Sequence, residues 1–433
     1  VGALTENTDY AIRTALWGRD VRGGAGERKL FRDILAYLAK NDSLKAEALL
    51  IKIPELGRWD DLWSIYGINE RLDAKILDIV VTELEKGNGL LAKWLPRQKE
   101  VINGKDLVKA LREKMHLSPA AYRKLVVGYT NVVEQFMCAK KWDGINFSHV
   151  PSVAHARYKK AFYKNAESFY KAYVEALVKN DGSAKINASA VYPYDVLKGL
   201  ISLYYKAEYN KTQLDVIQAQ WDALPNYLGD NSVIALADCS GSMTCSAGHD
   251  SKSVVTCLDV SVSLALYVAD KLQGKFKDCF LTFSSNPTIE VLKGNIVQKI
   301  QQVKGEGWCG STNLEKAFKA ILKTAIDGKV SQDEMPKTLL ILSDMQFNQT
   351  VRSDDSAIEM IRKQYAEAGY EVPNVVFWNL NDYGNKPVKF DEKGTALVSG
   401  FSPAILQSIL SAKEVTPEAI MLEAITKPRY DWQ

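Results

Sequence analysis

The sequence predicts a two-part chain, an all-α helical-repeat array (a solenoid or ring) followed by an α/β doubly wound domain. Three observations carry this expectation. Residues 1–228 read as helix after helix, with apolar positions at helical spacing and turns about every 15 to 25 residues. From residue 232, short apolar runs of strand length alternate with amphipathic helices, the pattern of a parallel sheet covered on both faces. The periodicity changes across Leu224-Pro225-Asn226-Tyr227-Leu228-Gly229-Asp230-Asn231, so domains are expected at 1–228 and 229–412, with a C-terminal helix and tail at 413–433.

In the first part, 27–40 follows a glycine turn, 59–66 follows Pro54, 71–86 places Leu72, Ile76, Ile79 and Val80 on one face, and 106–115 is amphipathic. Ser118-Pro119 starts the next helix, with Ser as N-cap and Pro in the first turn, ahead of Tyr122, Leu125 and Val126. Amphipathic helices joined by short loops bury their apolar faces only against neighbours. That favours a curved array over a compact four-helix bundle, although no strict repeat period is present. The second part reads as strand 232–238, helix 253–271, strand 278–284, edge strand 288–292, helix 313–326, strand 338–343, helix 355–368 and strand 374–380. Strand 396–399 and helix 403–411 complete it, and Thr416-Pro417-Glu418 caps a final helix through Ile425.

With 433 residues, 46% of them hydrophobic and 25% charged, the chain is long enough for two or more cored domains. No run approaches about 18 consecutive apolar residues, so no transmembrane helix is expected. No secretory leader is visible, and the opening Val1 leads us to expect a processed or trimmed start. The six cysteines, at 138, 239, 245, 257, 279 and 309, make no Cys-x-x-Cys pair. None of His116, His149, His155 and His249 stands at zinc spacing. Both facts argue against a structural zinc or a disulfide framework and for reduced thiols in a cytoplasmic protein.

Charge is uneven. Residues 1–228 hold 34 Lys+Arg against 27 Asp+Glu and the remainder 21 against 25, with 16 against 8 inside 101–200. The first part is therefore the candidate for a polyanionic partner.

The chemistry of the second part gathers at strand ends. Asp238-Cys239-Ser240-Gly241-Ser242 follows the apolar run Val233-Ile234-Ala235-Leu236-Ala237, so this loop opens at a sheet's carboxyl edge. Gly310-Ser311-Thr312-Asn313 is a second such loop, and Leu339-Leu340-Ile341-Leu342-Ser343-Asp344 is a buried-strand pattern ending in an acid. Two carboxylates, two serines and a threonine suit a hard divalent cation such as Mg²⁺, which takes oxygen ligands and keeps several waters. Taken alone, Asp-x-Ser-x-Ser also reads as a turn capping the next helix. Enzyme readings fit less well. A haloacid-dehalogenase-type phosphatase needs an Asp where Ser240 stands, and a serine hydrolase needs Gly-x-Ser-x-Gly, which 239–243 lack. Cys245 and Cys309 flank two of these loops, where simple packing and sensitivity to oxidation are both open.

In the first part, Arg157-Tyr158-Lys159-Lys160-Ala161-Phe162-Tyr163-Lys164 runs on to Phe169-Tyr170-Lys171-Ala172-Tyr173. Helical spacing puts Lys160, Lys164 and Lys171 on one face and Phe162, Phe169 and Tyr173 on another. One account is an apolar core face with a solvated lysine face. The other is phosphate binding by the lysines, with tyrosines stacked on unpaired bases. Arg123, Lys124, Lys140 and Lys141 extend the second account. The glycine-rich stretch from Asp20 to Lys29 precedes a helix and offers amides to a phosphate, but it lacks the Gly-Lys-Ser/Thr of a P-loop and also reads as a helix-hairpin turn. The stretch from Pro54 to Leu62 reads as a turn with acids at a helix start.

The loops carrying Asp238, Ser240, Ser242, Thr312 and Asp344 resemble the metal-ion-dependent adhesion site of von Willebrand factor A domains. That resemblance implies direct coordination by Ser240 and Ser242, a state-dependent role for Thr312, contacts largely through water for Asp238 and Asp344, and an open position for a partner's carboxylate. Segments 20–28, 57–62, 93–96, 139–143, 185–189, 192–195 and 343–347 resemble a plant, fungal, amoebal and viral family that pairs a helical region with a von Willebrand-type domain. The architecture is similar to that of Ro ribonucleoprotein (TROVE-module) proteins, in which a HEAT-like ring carries such a domain and binds small noncoding and single-stranded RNA. The expectation is thus a cytoplasmic, non-enzymatic, Ro-like RNA-binding protein. The RNA-facing candidates are Arg123, Lys124, Lys140, Lys141, Arg157, Lys159, Lys160, Lys164 and Lys171, and the second domain is expected to hold Mg²⁺ for an acidic protein ligand. The alternative is a metal-dependent protein-interaction scaffold without RNA.

Overall fold

The computed structural model describes residues 2–179, 181–188, 191–201, 209–247, 255–282, 287–305, 314–344, 355–381, 395–400, 403–411 and 416–432. Thr312, Cys309, His249 and Met345-Gln346-Phe347 lie outside the described residues.

The amino-terminal region is helical: α1 (Gly2–Glu6), α2 (Thr8–Arg19), α3 (Lys29–Asn41), α4 (Ser43–Leu49), α5 (Lys52–Leu56), α6 (Glu70–Glu85), α7 (Gly89–Trp94), α8 (Leu107–Lys114), α9 (Pro119–Tyr129) and α10 (Val133–Cys138). Short polar residues start these helices. Asn7, Asp42, Asn69, Asn88, Asp106 and Ser118 each accept a backbone amide of the first turn through the side chain. Helices pack on near neighbours in sequence, α3 on α4, α4 on α6, α6 on α7 and α8, and α7 on α9. Their apolar stripes meet in one core that includes Leu16, Phe31, Leu35, Ile53, Leu72, Ile76, Val80, Leu111 and Tyr122.

Two features depart from the helical reading. Residues 59–66 form two 3-10 turns, Trp59–Asp61 and Trp63–Ile65. A hairpin of β1 (Val101–Ile102) and β2 (Lys105–Asp106) turns through Asn103 and Gly104, both at positive φ, the Asn-Gly pairing that two-residue turns favour.

The chain then passes through α11 (Ser152–Asn165), α12 (Glu167–Lys179), α13 (Pro193–Ile201) and α14 (Lys211–Asp222) into the α/β part. There, β3 (Val233–Ala237), α15 (Cys257–Lys271), β4 (Cys279–Thr282), β5 (Ile289–Val291), α16 (Ile296–Gly305), α17 (Leu314–Asp327), β6 (Thr338–Ser343), α18 (Asp355–Glu367), β7 (Asn374–Asn379), β8 (Thr395–Ser399), α19 (Pro403–Ser411) and α20 (Pro417–Ile425) follow. Six strands form one sheet in the order β5-β4-β3-β6-β7-β8, parallel except for the edge pair β4/β5. Strands β3 and β6 are buried along their whole length, as their unbroken Val/Ile/Leu/Ala runs require.

The compact units do not divide at 228/229. One holds Val1–Val150, Tyr158–Tyr170 and Ala424–Gln433; the other holds Pro151–Arg157 and Lys171–Glu423. The physical reason lies in α15, whose residues from Cys257 to Ala269 are all buried. A helix apolar on every side needs cover on the face turned away from the sheet, and α13 packs against it there. Trp221 of α14 adds an indole hydrogen bond of 3.0 Å to Asp270 of α15.

Candidate functional site

In the sheet order, β3 and β6 are adjacent but their following connections run to opposite neighbours, β4 and β7. This is the topological switch point of a doubly wound sheet, where the carboxyl ends of two strands open a crevice. Asp238 leaves β3 at this point and Asp344 leaves β6. The register Ala237↔Leu342, continued by the Asp238 amide donating to the Leu342 carbonyl at 2.9 Å, brings the two ends level. Both carboxylates are buried, at 3% and 0% exposure.

Asp238 is held from two sides. Its Oδ1 accepts the Ser240 amide at 2.9 Å and its Oδ2 accepts the Ser343 hydroxyl at 2.6 Å. Burial raises the Asp238 carboxyl above its usual range; these hydrogen bonds oppose the shift and the charge of Asp344 adds to it. The chain then enters a 3-10 turn, Gly241–Thr244, and the Ser240 and Ser242 hydroxyl oxygens stand 3.0 Å apart. Met243 is buried and its thioether sulfur accepts the Asp344 amide at 3.2 Å, which ties the turn to the end of β6. The structure thus brings Asp238, Ser240, Ser242 and Asp344 to one crevice, while Thr312 lies outside the described residues.

The donor set fits a hard cation: two desolvated carboxylates at adjacent strand ends, with the Ser240 and Ser242 hydroxyls beside the first. Among the described residues no group of three His, Cys, Asp or Glu side chains is placed to hold a metal, so any cation here depends on the hydroxyls. Ser343 is the residue sequence reasoning left without a role. Its partner is 105 positions away in sequence, and only strand pairing puts them together.

The basic stretch is arranged differently from the helical-wheel reading. α11 ends at Asn165 and α12 begins at Glu167, so Lys160 and Lys164 belong to one helix and Lys171 to the next, in the other compact unit. The shared lysine face is therefore corrected to Lys160 and Lys164. The aromatic face is corrected as well. Phe162 and Tyr170 are core residues that meet Phe147 edge-on at 5.2 and 5.1 Å, Tyr173 is buried, and Phe169 is 54% exposed. Apart from Phe169, these rings hold the protein together and are closed to bases.

Most of the candidate lysines and arginines, in contrast, are exposed. Arg123 and Lys124 on α9, Lys140 and Lys141 after α10, and Lys160 and Lys164 on α11 are exposed and make no ion pair among the described residues. Arg157, in the other unit, is also exposed and without an ion pair. Lys159 and Lys171 are half-buried. Between His116 and Ala166 there are eight Lys or Arg and only two carboxylates, Glu134 and Asp143. Glu134 is already taken by Lys93 at 2.9 Å and by the Tyr158 hydroxyl at 3.3 Å. Elsewhere in the same unit bases are commonly paired: Arg19 and Arg32 to Asp61, Arg58 to Asp60, Arg71 to Glu47, and Lys105 to Asp73.

The two glycine-flanked acidic motifs are structural. In the 20–29 stretch the Ala25, Gly26 and Glu27 amides bond to the carbonyls of Trp17, Asp20 and Gly18, leaving none of these three for a phosphate. Asp20 is fully buried, bound by Arg429 and 3.0 Å from the Tyr430 hydroxyl. Asp61 is fully buried as well and bridges Arg19 (2.7 Å) and Arg32 (2.7 Å), a larger role than an acid at a helix start. A cleft of about 860 Å³ between α4, α5 and α6, lined by Leu44, Ile51, Trp59 and Ile79 among others, contains none of the candidate residues.

Fold and site together define a two-part protein, helical first and α/β second, with oxygen donors at the switch point and exposed bases in the helical part. Among the described residues no helix is long and apolar enough to cross a membrane. Residues 82–234 match the model of "Domain of unknown function (DUF2828)" and residues 232–429 that of "Domain of unknown function (DUF7788)". The chain is 28% identical over 477 residues to "Uncharacterized protein L728" of Acanthamoeba polyphaga mimivirus, covering 98% of this chain and 80% of that relative. It is also similar to the crystal structure of the Deinococcus radiodurans RO (RSR) protein, with a TM-score of 0.49 and 14% identity over 98% of this chain and 92% of that one.

Proposed function

We propose that this is a cytoplasmic RNA-binding protein of the Ro type. Its HEAT-like helical array binds small noncoding or single-stranded RNA, and its von Willebrand-type domain holds Mg²⁺ for an acidic protein partner. Binding, not catalysis, is the activity. The observation that carries the RNA reading is the run of exposed bases at 123, 124, 140, 141, 160 and 164, left without carboxylates in a unit where other bases are commonly paired. Uncompensated positive charge on rigid helices is what a phosphate backbone recognises, and each phosphate neutralised releases counterion.

The test is a salt series with a single-stranded RNA oligonucleotide, read by fluorescence anisotropy. Log affinity is expected to fall linearly with log salt, by about 0.7 per phosphate engaged. Lys160→Glu with Lys164→Glu reduces that slope; an unchanged slope removes both lysines from the interface. The switch-point donors support a second reading, a metal-dependent protein scaffold without RNA. Under it, Asp238→Ala or chelation abolishes partner binding while RNA affinity is absent in the intact protein.

A further inference from the structure

Beside the cation loop, two cysteines meet. Cys245 immediately follows the 3-10 turn Gly241–Thr244, and Cys257 is the first residue of α15. Their sulfur atoms stand 3.6 Å apart. The backbones on either side are fixed as an antiparallel pair: the Cys257 amide donates to the Cys245 carbonyl at 3.0 Å, the Ala247 amide donates to the Val255 carbonyl at 2.9 Å, and Ser246 faces Thr256. Paired antiparallel residues have Cα atoms about 4.5 to 5.5 Å apart, inside the range a disulfide spans. A bond of about 2.05 Å needs the sulfurs to close by roughly 1.5 Å.

The two thiols are not equivalent. Cys245 is half-exposed and its sulfur accepts the Asn381 side-chain amide at 3.1 Å. Cys257 is fully buried, its sulfur 3.5 Å from the Leu380 carbonyl oxygen, and burial pushes its thiol up. One sulfur is placed to be reached from solvent and the other to resolve what forms on the first.

We propose that Cys245 and Cys257 form a dithiol–disulfide couple, oxidised by low-molecular-weight disulfides such as oxidised glutathione, that competes with the cation at the adjoining loop. Cys245 loses its proton and its sulfur attacks one sulfur of oxidised glutathione, forming a mixed disulfide and releasing one glutathione thiolate, which takes up a proton. Cys257 then loses its proton and its sulfur attacks Cys245 Sγ. The mixed disulfide breaks and the second glutathione leaves. The protein gives up two electrons and two protons, and the glutathione disulfide accepts both. Closure draws Cys245 toward α15 and with it the turn that carries Ser242, whereas metal–ligand distances tolerate only about 0.2 Å. By reciprocity, cation binding opposes oxidation by the same factor that oxidation opposes the cation. The competition, unlike the couple itself, rests on the cation reading given above.

The full chain is equilibrated in glutathione buffers of graded ratio with EDTA, quenched with N-ethylmaleimide, and mapped by peptide mass spectrometry. A Cys245–Cys257 cross-link is expected to appear as oxidised glutathione rises. Cys257→Ser retains a glutathione adduct on Cys245, and Cys245→Ser leaves Cys257 unmodified until the protein is denatured. An adduct on Cys245 without the cross-link, a cross-link from Cys245 to another cysteine, or modification of Cys257 at an unchanged rate in Cys245→Ser overturns the couple. Repeating the series with saturating Mg²⁺ in place of EDTA is expected to demand about fivefold more oxidised glutathione at the midpoint. A midpoint that does not move, in protein shown by calorimetry to bind Mg²⁺ when reduced, overturns the competition. Calorimetry without Mg²⁺ binding overturns the cation reading, and the cross-link result then stands or falls alone.

Discussion

Lys140 combines the two demands this protein places on single residues, since it is an exposed base of the candidate RNA surface and also sits at φ 56° where α10 ends. A left-handed backbone at a non-glycine residue costs about 1 kcal/mol, and glycine is the usual choice at this helix end. Lys140→Gly is therefore expected to stabilise the protein by about 0.5 to 1 kcal/mol in thermal melts while lowering the salt slope of RNA binding by one phosphate's share. A stabilised variant with an unaltered slope would show that this lysine touches no RNA. Ser343 is the second case. Ser343→Ala removes the hydroxyl from buried Asp238 Oδ2 and is expected to cost about 1 to 3 kcal/mol of stability. It should also weaken Mg²⁺ binding by about tenfold or more in calorimetry, because the carboxylate loses the group that orients it. Asp238, Ser240 and Ser242 were legible in sequence because they share five consecutive positions. Ser343 was not, because its role exists only through the β3/β6 register.

At the scale of elements, the strands from 232 onward were readable to within a residue or two, since strands buried on both faces have unbroken apolar runs, but the reading passed from 288–292 directly to 313–326 and missed helix α16 (Ile296–Gly305). Two further things were hidden. The break between α11 and α12 falls at Ala166, where neither Gly nor Pro marks it, and it separated lysines that helical spacing had aligned. The expected boundary at 228/229 followed the change of periodicity, whereas α13 and α14 group with the α/β fold because α15 is buried all round. A chain beginning at residue 229 therefore exposes the side of α15 that α13 covers and strands the Trp221–Asp270 hydrogen bond. We expect it to bind a hydrophobic dye and melt without cooperativity, while a chain spanning Lys171–Glu423 melts cooperatively. Equal cooperativity of the two would place the boundary back at 228/229.

For the molecule as a whole, one compact unit is built from both ends of the chain. Asp20 and Tyr430 are 410 positions apart, yet the Tyr430 hydroxyl lies 3.0 Å from both Asp20 Oδ2 and the Gly23 carbonyl oxygen, and Arg429 binds the same carboxylate. Trp432 donates to Asp9 at 2.9 Å and Arg13 pairs with Asp431 at 2.7 Å. Asp20 is a fully buried carboxylate, so removing its cation leaves an uncompensated charge in the interior. Arg429→Ala is expected to destabilise that unit by about 1 to 2 kcal/mol, because Asp20 stays buried without its cation while solvent screens the half-exposed Arg429 side of the pair. Tyr430→Phe, which loses a hydrogen bond but keeps the ring, should cost about 1 to 2 kcal/mol. Hydrogen exchange measured by mass spectrometry reads both at once. Protection is expected to fall in α2 and in the turn from Asp20 to Gly26, with the strands β3 and β6 unchanged. If β3 and β6 lose protection in step with α2, the units do not unfold separately and the closing contact acts on the whole chain. If neither moves, the Asp20 cluster holds nothing that the helical core does not already hold.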